Sequence, residues 1–391
     1  MKILVLSFYF RPDLCAGSFR CTALMEQLSR MYPNVEFDLV TTKPNRYATY
    51  HSDANRKEQV ANISIFRIEL PAHKSGMADQ MRSFATYYRE AMKMVANKDY
   101  DLVFATSSRL FTAFLGARIA RKRKLPLYID VRDLFVDTMS NILSPKISFF
   151  AKPILKMLER YTFGYAKRIN IVSKGFESYF ASRYPRTELS FFTNGIDEEF
   201  LKDRENGLES HVFSSPVKVL YTGNIGEGQC LHSILPALAK RMEGVCEFKI
   251  VGDGGRKDVL RRALEEVDAK NVTLCDPVSR KEIIELYHEA DVLFMHLGDY
   301  PAFKKVLPSK LFEYATTGKP IWAGVGGVAA ELLRNEVENV ALFAPADVEE
   351  AIRSFNRLEM KLCERADFVS KYARSNIMQE MAEDIMRITK N

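Results

Sequence analysis

The chain has 391 residues, of which 47% are hydrophobic and 27% charged, and these proportions are those of a soluble globular protein. This length exceeds one ordinary hydrophobic core and predicts two domains, and no segment approaches the roughly 20 apolar residues of a membrane-spanning helix. The net charge of +6 is unevenly distributed, because residues 1–200 carry +10 and the remainder carries −4. The two halves are therefore expected to face different partners.

The N-terminus and the cysteines bear on the cellular compartment. The first ten residues are mostly apolar, but Arg11, Pro12 and Asp13 end this run, and no small-residue cleavage site follows. The six cysteines show no CxxC spacing and the six histidines are scattered, which predicts neither a disulfide framework nor a zinc site. A cytoplasmic protein is therefore expected.

The first half alternates between strand and helix patterns. Short runs rich in apolar and β-branched residues predict buried strands at Lys2–Ser7, Val35–Thr41, Ile63–Ile68, Leu102–Ala105, Leu127–Asp130 and Arg168–Val172. Helical patterns fall at Phe19–Met31, Ala78–Asn97, Phe111–Lys124, Lys146–Arg168 and Gly175–Ser182. A further strand is predicted at Phe191–Asp197, and the charged, turn-rich residues after it, up to Pro216, have the character of a linker.

The same alternation restarts at Val217. Strands are predicted at Val217–Tyr221, Glu247–Val251, Val272–Leu274, Val292–Met295, Ile321–Ala323 and Val340–Phe343, with helical segments between them. Residues 348–390 are helical and contain no strand. The predicted fold is α/β, with two doubly wound Rossmann-like domains at residues 1–200 and 201–372 whose parallel sheets face a central cleft.

A short helix is predicted from Ser309 to Thr317, closed by Gly318 and Pro320. Its N-terminus follows a buried strand and a loop, and unpaired amides at such an end favour a negatively charged ligand. Glu313 lies one turn into this helix, where its carboxylate could accept hydrogen bonds from a sugar diol. An ordinary solvated glutamate is the alternative interpretation.

Three glycine loops stand between a strand and a helix, the context in which backbone amides approach a phosphate. They are Gly17-Ser18, Gly223-Asn224-Ile225-Gly226 and Gly252-Asp253-Gly254-Gly255. None matches a dinucleotide or P-loop fingerprint. The run 324–329 fits GxGxxA, but it comes late in the second domain and has no suitably placed acid for a ribose, so NAD binding is not expected.

Charged residues near predicted strand ends allow two interpretations each. Asp130, Arg132 and Asp133 end a strand at the predicted cleft, where they could perform chemistry or form a structural ion pair. Lys304 and Lys305 precede the anion-binding helix and could neutralise a diphosphate, or they could be solvated. The Asp-Tyr-Asp run at 99–101 resembles a metal-binding motif but lies at the wrong end of its strand, so we interpret it as solvated.

The helical region 147–168 interleaves aromatic and aliphatic residues with lysine and arginine. Such a helix could lie on an anionic membrane surface. It could equally pack its apolar side on the core and leave a basic face in solvent.

In this order and context, these stretches resemble the retaining GT-B glycosyltransferases of family four, most closely the bacterial members that build surface polysaccharides such as O-antigen and capsule. The resemblance spans nearly the whole chain. It is carried by the runs at 17–20, 130–135, 193–197, 221–226 with Gln229, 251–254 and 308–314.

The resemblance implies a nucleotide-sugar donor in the C-terminal domain, an acceptor in the N-terminal domain, and a last helix, about 373–391, that packs back on the N-terminal domain. Glu313 then holds the donor ribose, the amides of Ser309, Lys310 and Leu311 face the diphosphate, and Val278 sits beside the nucleobase. The implied donor-binding residues are Gly17, Ser18, Arg20, Gly223, Asn224, Gly226, Gly252, Gly254, Val278, Lys304, Lys305, Ser309, Lys310, Leu311 and Glu313.

This sequence departs from the family pattern at two points. The first glutamate of the family's glutamate pair falls on Lys305, and the basic residues that usually follow the Gly223 loop are replaced by residues 226–229. Lys304, Lys305 or Arg20 is expected to substitute for them at the diphosphate. Arg132 or Asp133 is expected in place of the residue that contacts the donor hexose, often a histidine, and these two are the candidate catalytic residues.

The resemblance therefore predicts a metal-independent enzyme that transfers a hexose or N-acetylhexosamine from a nucleotide sugar, with UDP as the expected nucleotide, to a lipid-linked glycan or polysaccharide. Its expected location is the inner face of the plasma membrane, as a peripheral protein on an anionic surface, and no nucleic-acid partner is expected. A UDP-sugar 2-epimerase of the same fold and a non-catalytic two-lobed sugar-binding protein are the alternatives.

Overall fold

The computed structural model describes residues 1–13, 15–44, 54–71, 77–107, 110–134, 145–205 and 211–389. The chain divides into two compact units. The first comprises Met1–Thr193 together with Arg374–Asn391, and the second comprises Asn194–Ala373. The division therefore falls seven residues before the boundary predicted from the sequence.

The sheet of the first unit has the strand order β3-β4-β2-β1-β5-β6-β7-β8. Its strands are β1 (Lys2–Leu6), β2 (Glu36–Thr42), β3 (Lys57–Val60), β4 (Ile63–Ile68), β5 (Leu102–Thr106), β6 (Leu127–Val131), β7 (Arg168–Ile171) and β8 (Glu188–Ser190). The described pairings are parallel except that of β3, an edge strand antiparallel to β4. The sequence analysis missed β3, because its polar and half-exposed residues lack the apolar run of a buried strand.

Helices cover this sheet and complete its core. They are α1 (Ala16–Met31), α2 (Met77–Val95), α3 (Leu110–Arg123), α4 (Pro145–Phe163) and α5 (Glu177–Arg183), together with the C-terminal helix Arg374–Arg387. Ile3 and Val5 of the central strand pack in one buried cluster with Leu24 of α1 and with Met381 and Ile385 of the C-terminal helix. The last helix is thus part of the first unit's hydrophobic core.

The second unit has a parallel sheet of order β11-β10-β9-β12-β13-β14. Its strands are β9 (Val217–Thr222), β10 (Cys246–Val251), β11 (Val272–Cys275), β12 (Val292–His296), β13 (Ile321–Gly324) and β14 (Val340–Phe343). The strand order reverses between β9 and β12. In open α/β sheets a ligand binds at the carboxyl ends of the strands at such a reversal.

The helices of the second unit include the one that carries Glu313. They are α6 (Glu198–Glu205), α7 (Leu231–Arg241), α8 (Lys257–Glu266), α9 (Arg280–Glu289), α10 (Ser309–Thr316), α11 (Gly327–Glu336), α12 (Val348–Phe355) and α13 (Ala366–Lys371), and the C-terminal helix of the first unit is α14. The predicted helix at residues 309–317 is therefore correct to within one residue.

The strand predicted at Phe191–Asp197 is wrong, because strand β8 lies before it and only Ile196 forms an isolated bridge, to Ala373. Side chains of the first unit satisfy the backbone of this segment instead: Asn170 accepts from the Phe192 amide, and Arg20 donates to the Phe192 carbonyl. The first part of the predicted linker is helix α6.

None of the helices in the described ranges is long and apolar enough to cross a membrane. This agrees with the absence of an apolar run of sufficient length in the sequence.

Candidate active site

The loop after β9 lies at the reversal point of the second sheet and packs too closely for side chains. Gly223 has a φ of +120°, and a Cβ added there would collide with the side-chain nitrogen of Lys310. Gly252, after β10, has a φ of +155°, and a Cβ there would collide with the Gly223 carbonyl. These two glycines allow the two loops and the Lys310 side chain to meet at one edge of the sheet.

Hydrogen bonds fix the shape of the loop at 223–229. The Asn224 amide donates to Gln229 Oε1 at 2.6 Å, and the Tyr221 hydroxyl donates to the Asn224 carbonyl at 2.6 Å. Asn224 therefore has its side chain turned onto its own loop. Its predicted contact with the donor remains untested.

His296, at the end of β12, holds the far end of this loop. Its Nε2 accepts a 3.0 Å hydrogen bond from the Ala346 amide, so its Nδ1 carries the proton and donates to the Gln229 carbonyl at 2.7 Å. Burial lowers the pKa of His296 to about 4, which keeps the ring neutral at pH 7. The sequence analysis did not identify this histidine, because both of its partners are backbone groups distant in sequence.

Helix α10 begins at Ser309 after Pro308. The resemblance implies that the Leu311 amide faces the diphosphate. In this conformation it instead donates to the Pro308 carbonyl at 3.1 Å and is not available to a ligand. The amides of Ser309 and Lys310 have no acceptor among the residues that the structure describes. The helix end predicted to bind an anion consequently offers two amides rather than three.

Glu313, one turn into α10, is held by two side chains of α9. Its Oε2 accepts from the Tyr287 hydroxyl at 3.0 Å, and its Oε1 lies 3.5 Å from a guanidinium nitrogen of Arg280. The Glu313 side chain is only 12% exposed, which excludes the interpretation as an ordinary solvated glutamate. Tyr287 also contacts the Thr222 hydroxyl at 3.1 Å and so ties Glu313 to the end of β9.

Arg280 is the cation that compensates this carboxylate. It pairs with Asp197 and, at 2.8 Å, with Glu199, and its guanidinium lies 4.6 Å from the Phe200 ring centroid. Burial would lower the pKa of Arg280, but the Glu313 and Asp197 carboxylates raise it above its ordinary value. No local sequence pattern marks Arg280, because its acidic partners are more than 30 positions away.

The lysines proposed for the diphosphate differ in their surroundings. Lys304 is 53% exposed and pairs with Asp299 at 2.9 Å, and Lys305 lies in the same short 3-10 helix. Lys310 is partly buried, and its ammonium lies 4.8 Å from the centroid of the Tyr221 ring. Burial lowers the pKa of Lys310 to about 8, and the charge of Glu313 opposes this shift.

The predicted nucleobase region is anchored by Lys257. Its ammonium donates to the carbonyls of Gly252 at 2.9 Å and Cys275 at 3.1 Å and to Asp276 Oδ1 at 2.7 Å. These bonds join the ends of β10 and β11 just before Val278. The contact between Val278 and a nucleobase stays a prediction.

In the first unit, Arg20 is fully buried in an ion pair with Asp130. Its Nε and one terminal nitrogen bond the two carboxylate oxygens, at 2.9 and 3.0 Å. The same terminal nitrogen donates to the Phe192 carbonyl at 2.8 Å, and the other donates to the Thr193 carbonyl at 2.6 Å. Arg20 would have to break these bonds to reach a phosphate, so the structure favours a structural role over the predicted donor contact. Asp130 likewise has the structural role that the sequence analysis left open.

Arg132 and Asp133 follow β6, and their predicted catalytic roles remain predictions. The Arg132 amide donates to the Ser107 hydroxyl at 3.1 Å, and burial together with the Arg20 charge lowers the pKa of Arg132. Asp133 is exposed. Phe135 of the same motif lies outside the described residues.

Gly17 and Ser18 lie in the first turn of α1. The Ser18 hydroxyl is buried and has no hydrogen-bond partner among the described residues. In the described ranges, no group of three or more histidine, cysteine or acidic residues could hold a metal ion.

Family models match each half of the chain. The model described as "Glycosyl transferases group 1" matches residues 203–376, and the model described as "Glycosyl transferase 4-like domain" matches residues 19–195. Together with two Rossmann-like sheets, these matches define a glycosyltransferase of the GT-B type.

Solved structures with the same fold cover almost the whole chain. Sucrose-phosphate synthase from Thermosynechococcus elongatus is 14% identical with a TM-score of 0.67, over 98% of this chain and 94% of that one. HepE from Anabaena, in complex with UDP-glucose, is 17% identical with a TM-score of 0.61, over 100% and 97%. The lipopolysaccharide outer core galactosyltransferase WaaB is 12% identical with a TM-score of 0.60, over 99% of both chains.

At these identities the likeness establishes the fold alone. Among curated proteins, none matches the chain by sequence.

Proposed function

We propose that this glycosyltransferase moves a hexose or N-acetylhexosamine from a UDP-sugar to a lipid-linked or polysaccharide acceptor, with retention of the anomeric configuration. The observation that carries the donor class is the position of Glu313. Its largely buried carboxylate, 12% exposed, stands one turn beyond two helix amides that have no acceptor in the described part of the chain, at the reversal point of a Rossmann-like sheet. A diphosphate at the helix end and a ribose at the carboxylate fit this spacing. HepE, a neighbour of the same fold, was solved with UDP-glucose.

The proposed chemistry depends on positioning and charge stabilisation. The bond between the anomeric carbon and the diphosphate oxygen breaks, the acceptor oxygen attacks from the same face, and the acceptor proton passes to the leaving diphosphate. Such a reaction needs no protein nucleophile, and fixed donors at the leaving group lower its barrier. We propose that it is metal-independent, and that Arg132 and Asp133 contact the transferred sugar.

The alternatives predict different products. A UDP-sugar 2-epimerase of the same fold would consume the donor without an acceptor, and a sugar-binding protein would not consume it. The test measures UDP release from UDP-glucose, UDP-galactose and their N-acetylamino derivatives, with and without an added lipid-linked glycan. Release that requires the lipid supports the proposal, whereas acceptor-independent release or none contradicts it. The anomeric configuration of the product, read by NMR, tests retention.

We also propose that the protein binds the anionic inner face of the plasma membrane through helix α4. Ile154 and Met157 of this helix are 58% and 64% exposed, and Lys152, Lys156 and Arg160 beside them are exposed too. Exposed apolar side chains among basic groups suit a membrane interface, where each basic group near the surface contributes about 1 kcal/mol. The side chains of Lys146, Phe149 and Phe150 lie outside the described residues.

Flotation with vesicles tests this location. The protein is expected to bind vesicles with anionic lipid at low salt, and a variant with Ile154→Ser and Met157→Ser should bind less. Met81→Ser, in α2, is the matched control, because Met81 is 63% exposed on the same unit. Equal recovery with neutral and anionic vesicles would contradict the proposal.

A further inference from the structure

We propose that the ammonium group of Lys310, rather than that of Lys304 or Lys305, binds the diphosphate of the donor and supplies the positive charge that the Gly223 loop lacks. This inference rests on the proposed function and specifies how the same site holds its ligand.

The surroundings of the Lys310 ammonium favour a bound anion. The ammonium lies against Gly223, at the carboxyl end of β9, and contacts the face of Tyr221. Among the residues that the structure describes it makes no hydrogen bond or ion pair. Lys310 is partly buried and its ammonium still reaches solvent, so a ligand at the end of β9 can supply the acceptors that the described residues do not.

Lys319, a buried lysine in the same unit, shows the surroundings of a structural lysine. Burial lowers the pKa of Lys319 to about 8, as it does that of Lys310. The Lys319 ammonium, however, donates to the carbonyls of His288, at 2.6 Å, and Ala290, and lies 3.2 Å from His211 Nδ1. The pKa values of the two lysines are therefore lowered to a similar extent, but their hydrogen-bond partners differ.

The groups around the Lys310 ammonium do not neutralise its charge, and they add further donors for an anion beside it. Glu313, the acid on the same helix, is already compensated by Arg280 and Tyr287. The unpaired amides of Ser309 and Lys310 belong to the same helix start. Backbone amides at a helix start and an ammonium are donors of the kind that bind phosphate groups.

Lys304 is a weaker candidate. It is more than half exposed and is paired with Asp299, so a diphosphate would have to displace an existing carboxylate. The gain from an exposed ion pair is also small.

The test compares the affinity of UDP with that of uridine, by calorimetry, in wild type, Lys310→Met and Lys319→Met. Lys310→Met should lose about 10- to 150-fold in UDP affinity, the equivalent of one hydrogen bond to a charged group, and should bind uridine as wild type does. Lys319→Met should unfold at a lower temperature, because it leaves two carbonyls unpaired, and should keep its UDP affinity. Lys310→Arg retains the charge and should recover part of the loss.

Wild type supplies an independent measurement should Lys310→Met fail to fold. UDP binding at pH 8.5, followed in two buffers of different ionisation enthalpy, should take up protons because the ligand returns Lys310 to its charged form. Uridine binding should take up none.

Three outcomes contradict the proposals in distinguishable ways. Undiminished UDP affinity in Lys310→Met, or no proton uptake, overturns the role of Lys310 alone. A loss in Lys304→Met or Lys305→Met that exceeds the loss in Lys310→Met assigns the diphosphate to those residues. Wild type that binds neither UDP nor UDP-sugars overturns the proposed function itself.

Discussion

The Tyr287 hydroxyl donates a 3.0 Å hydrogen bond to Oε2 of Glu313 and leaves Oε1 at 3.5 Å from Arg280. The carboxylate is thus oriented from one side before any ligand binds. Burial, and after it the charge of Glu313, raises the pKa of Tyr287 far above its ordinary value, so the hydroxyl remains a neutral donor. A pre-oriented acceptor beside a helix start suits the two hydroxyls of a ribose.

Glu313→Gln is expected to lower kcat/KM for the donor by about 10- to 150-fold, since a hydrogen bond to a charged group contributes about 1.5–3 kcal/mol. The fold should persist, because Arg280 keeps Asp197 and Glu199 as partners. Steady-state kinetics with a UDP-sugar measure the loss, and Glu313→Ala should lose at least as much.

Donors that lack one ribose hydroxyl provide the control for Glu313. Wild type should lose activity on a 2′-deoxy or 3′-deoxy donor, whereas Glu313→Ala should lose little more than it already has. Equal responses of mutant and wild type to either deletion would show that Glu313 does not hold the ribose.

Tyr287→Phe is expected to lower kcat/KM for the donor by about 2- to 13-fold, which corresponds to about 0.5–1.5 kcal/mol for one ordinary hydrogen bond. Tyr287 acts through Glu313, so the two losses should not add. A double-mutant cycle with Glu313→Gln measures their coupling. Additive losses would mean that the Tyr287 hydroxyl acts independently of Glu313, for example through its contact with Thr222.

The donor helix was predictable and its partners were not, for a physical reason. Apolar spacing, Gly318 and Pro320 are local signals, and they place α10 to within one residue. Arg280 and Glu313 stand 33 positions apart, and Arg20 and Asp130 stand 110 apart, so only the folded chain pairs them. The segment Phe191–Asp197 shows the converse. Its local pattern is typical of a strand, but its backbone forms hydrogen bonds with side chains instead of with a neighbouring strand.

Activity is expected to survive chelation. Lys310, Arg280 and Glu313 lie together near the reversal point of the second sheet, and a set with two cations and one carboxylate suits direct binding of a diphosphate more than binding through a metal. UDP release measured with EDTA should equal release without it. Loss of activity in EDTA that Mn²⁺ or Mg²⁺ restores would contradict this expectation.

Asp384→Ala is expected to lower the free energy of unfolding of the first unit by about 3 kcal/mol, as removal of one member of a buried ion pair does. Asp384, in α14, accepts from the Tyr128 hydroxyl at 3.0 Å, from the Ser190 hydroxyl at 2.6 Å and from Arg168. Hydrogen exchange of α14 and chemical denaturation provide the measurement.

Glu383→Ala is the matched control. Glu383 is next to Asp384 in the sequence, but its side chain is 43% exposed and its carboxylate lies 3.7 Å from Arg387. This exposed pair should contribute less than about 1 kcal/mol. If the two variants destabilise equally, the buried cluster around Asp384 does not anchor the helix.

UDP affinity is expected to fall above pH 8, roughly fivefold between pH 8 and pH 9, because the Lys310 ammonium loses its proton there. The stability of the ligand-free protein should respond with the opposite sign. The folded-state pKa lies below the ordinary 10.5, so the unfolded chain binds more protons between about pH 8 and 10.5, and the contribution of Lys310 to the free energy of unfolding rises through that window. Lys319 contributes in the same direction, and Lys319→Met should therefore flatten part of the stability curve while it leaves the fall in affinity unchanged.

Calorimetric UDP titrations from pH 7 to 9.5 should show the fall in affinity in wild type and a much smaller one in Lys310→Arg, whose guanidinium stays charged. An equal fall in Lys310→Arg would assign the titration to another group.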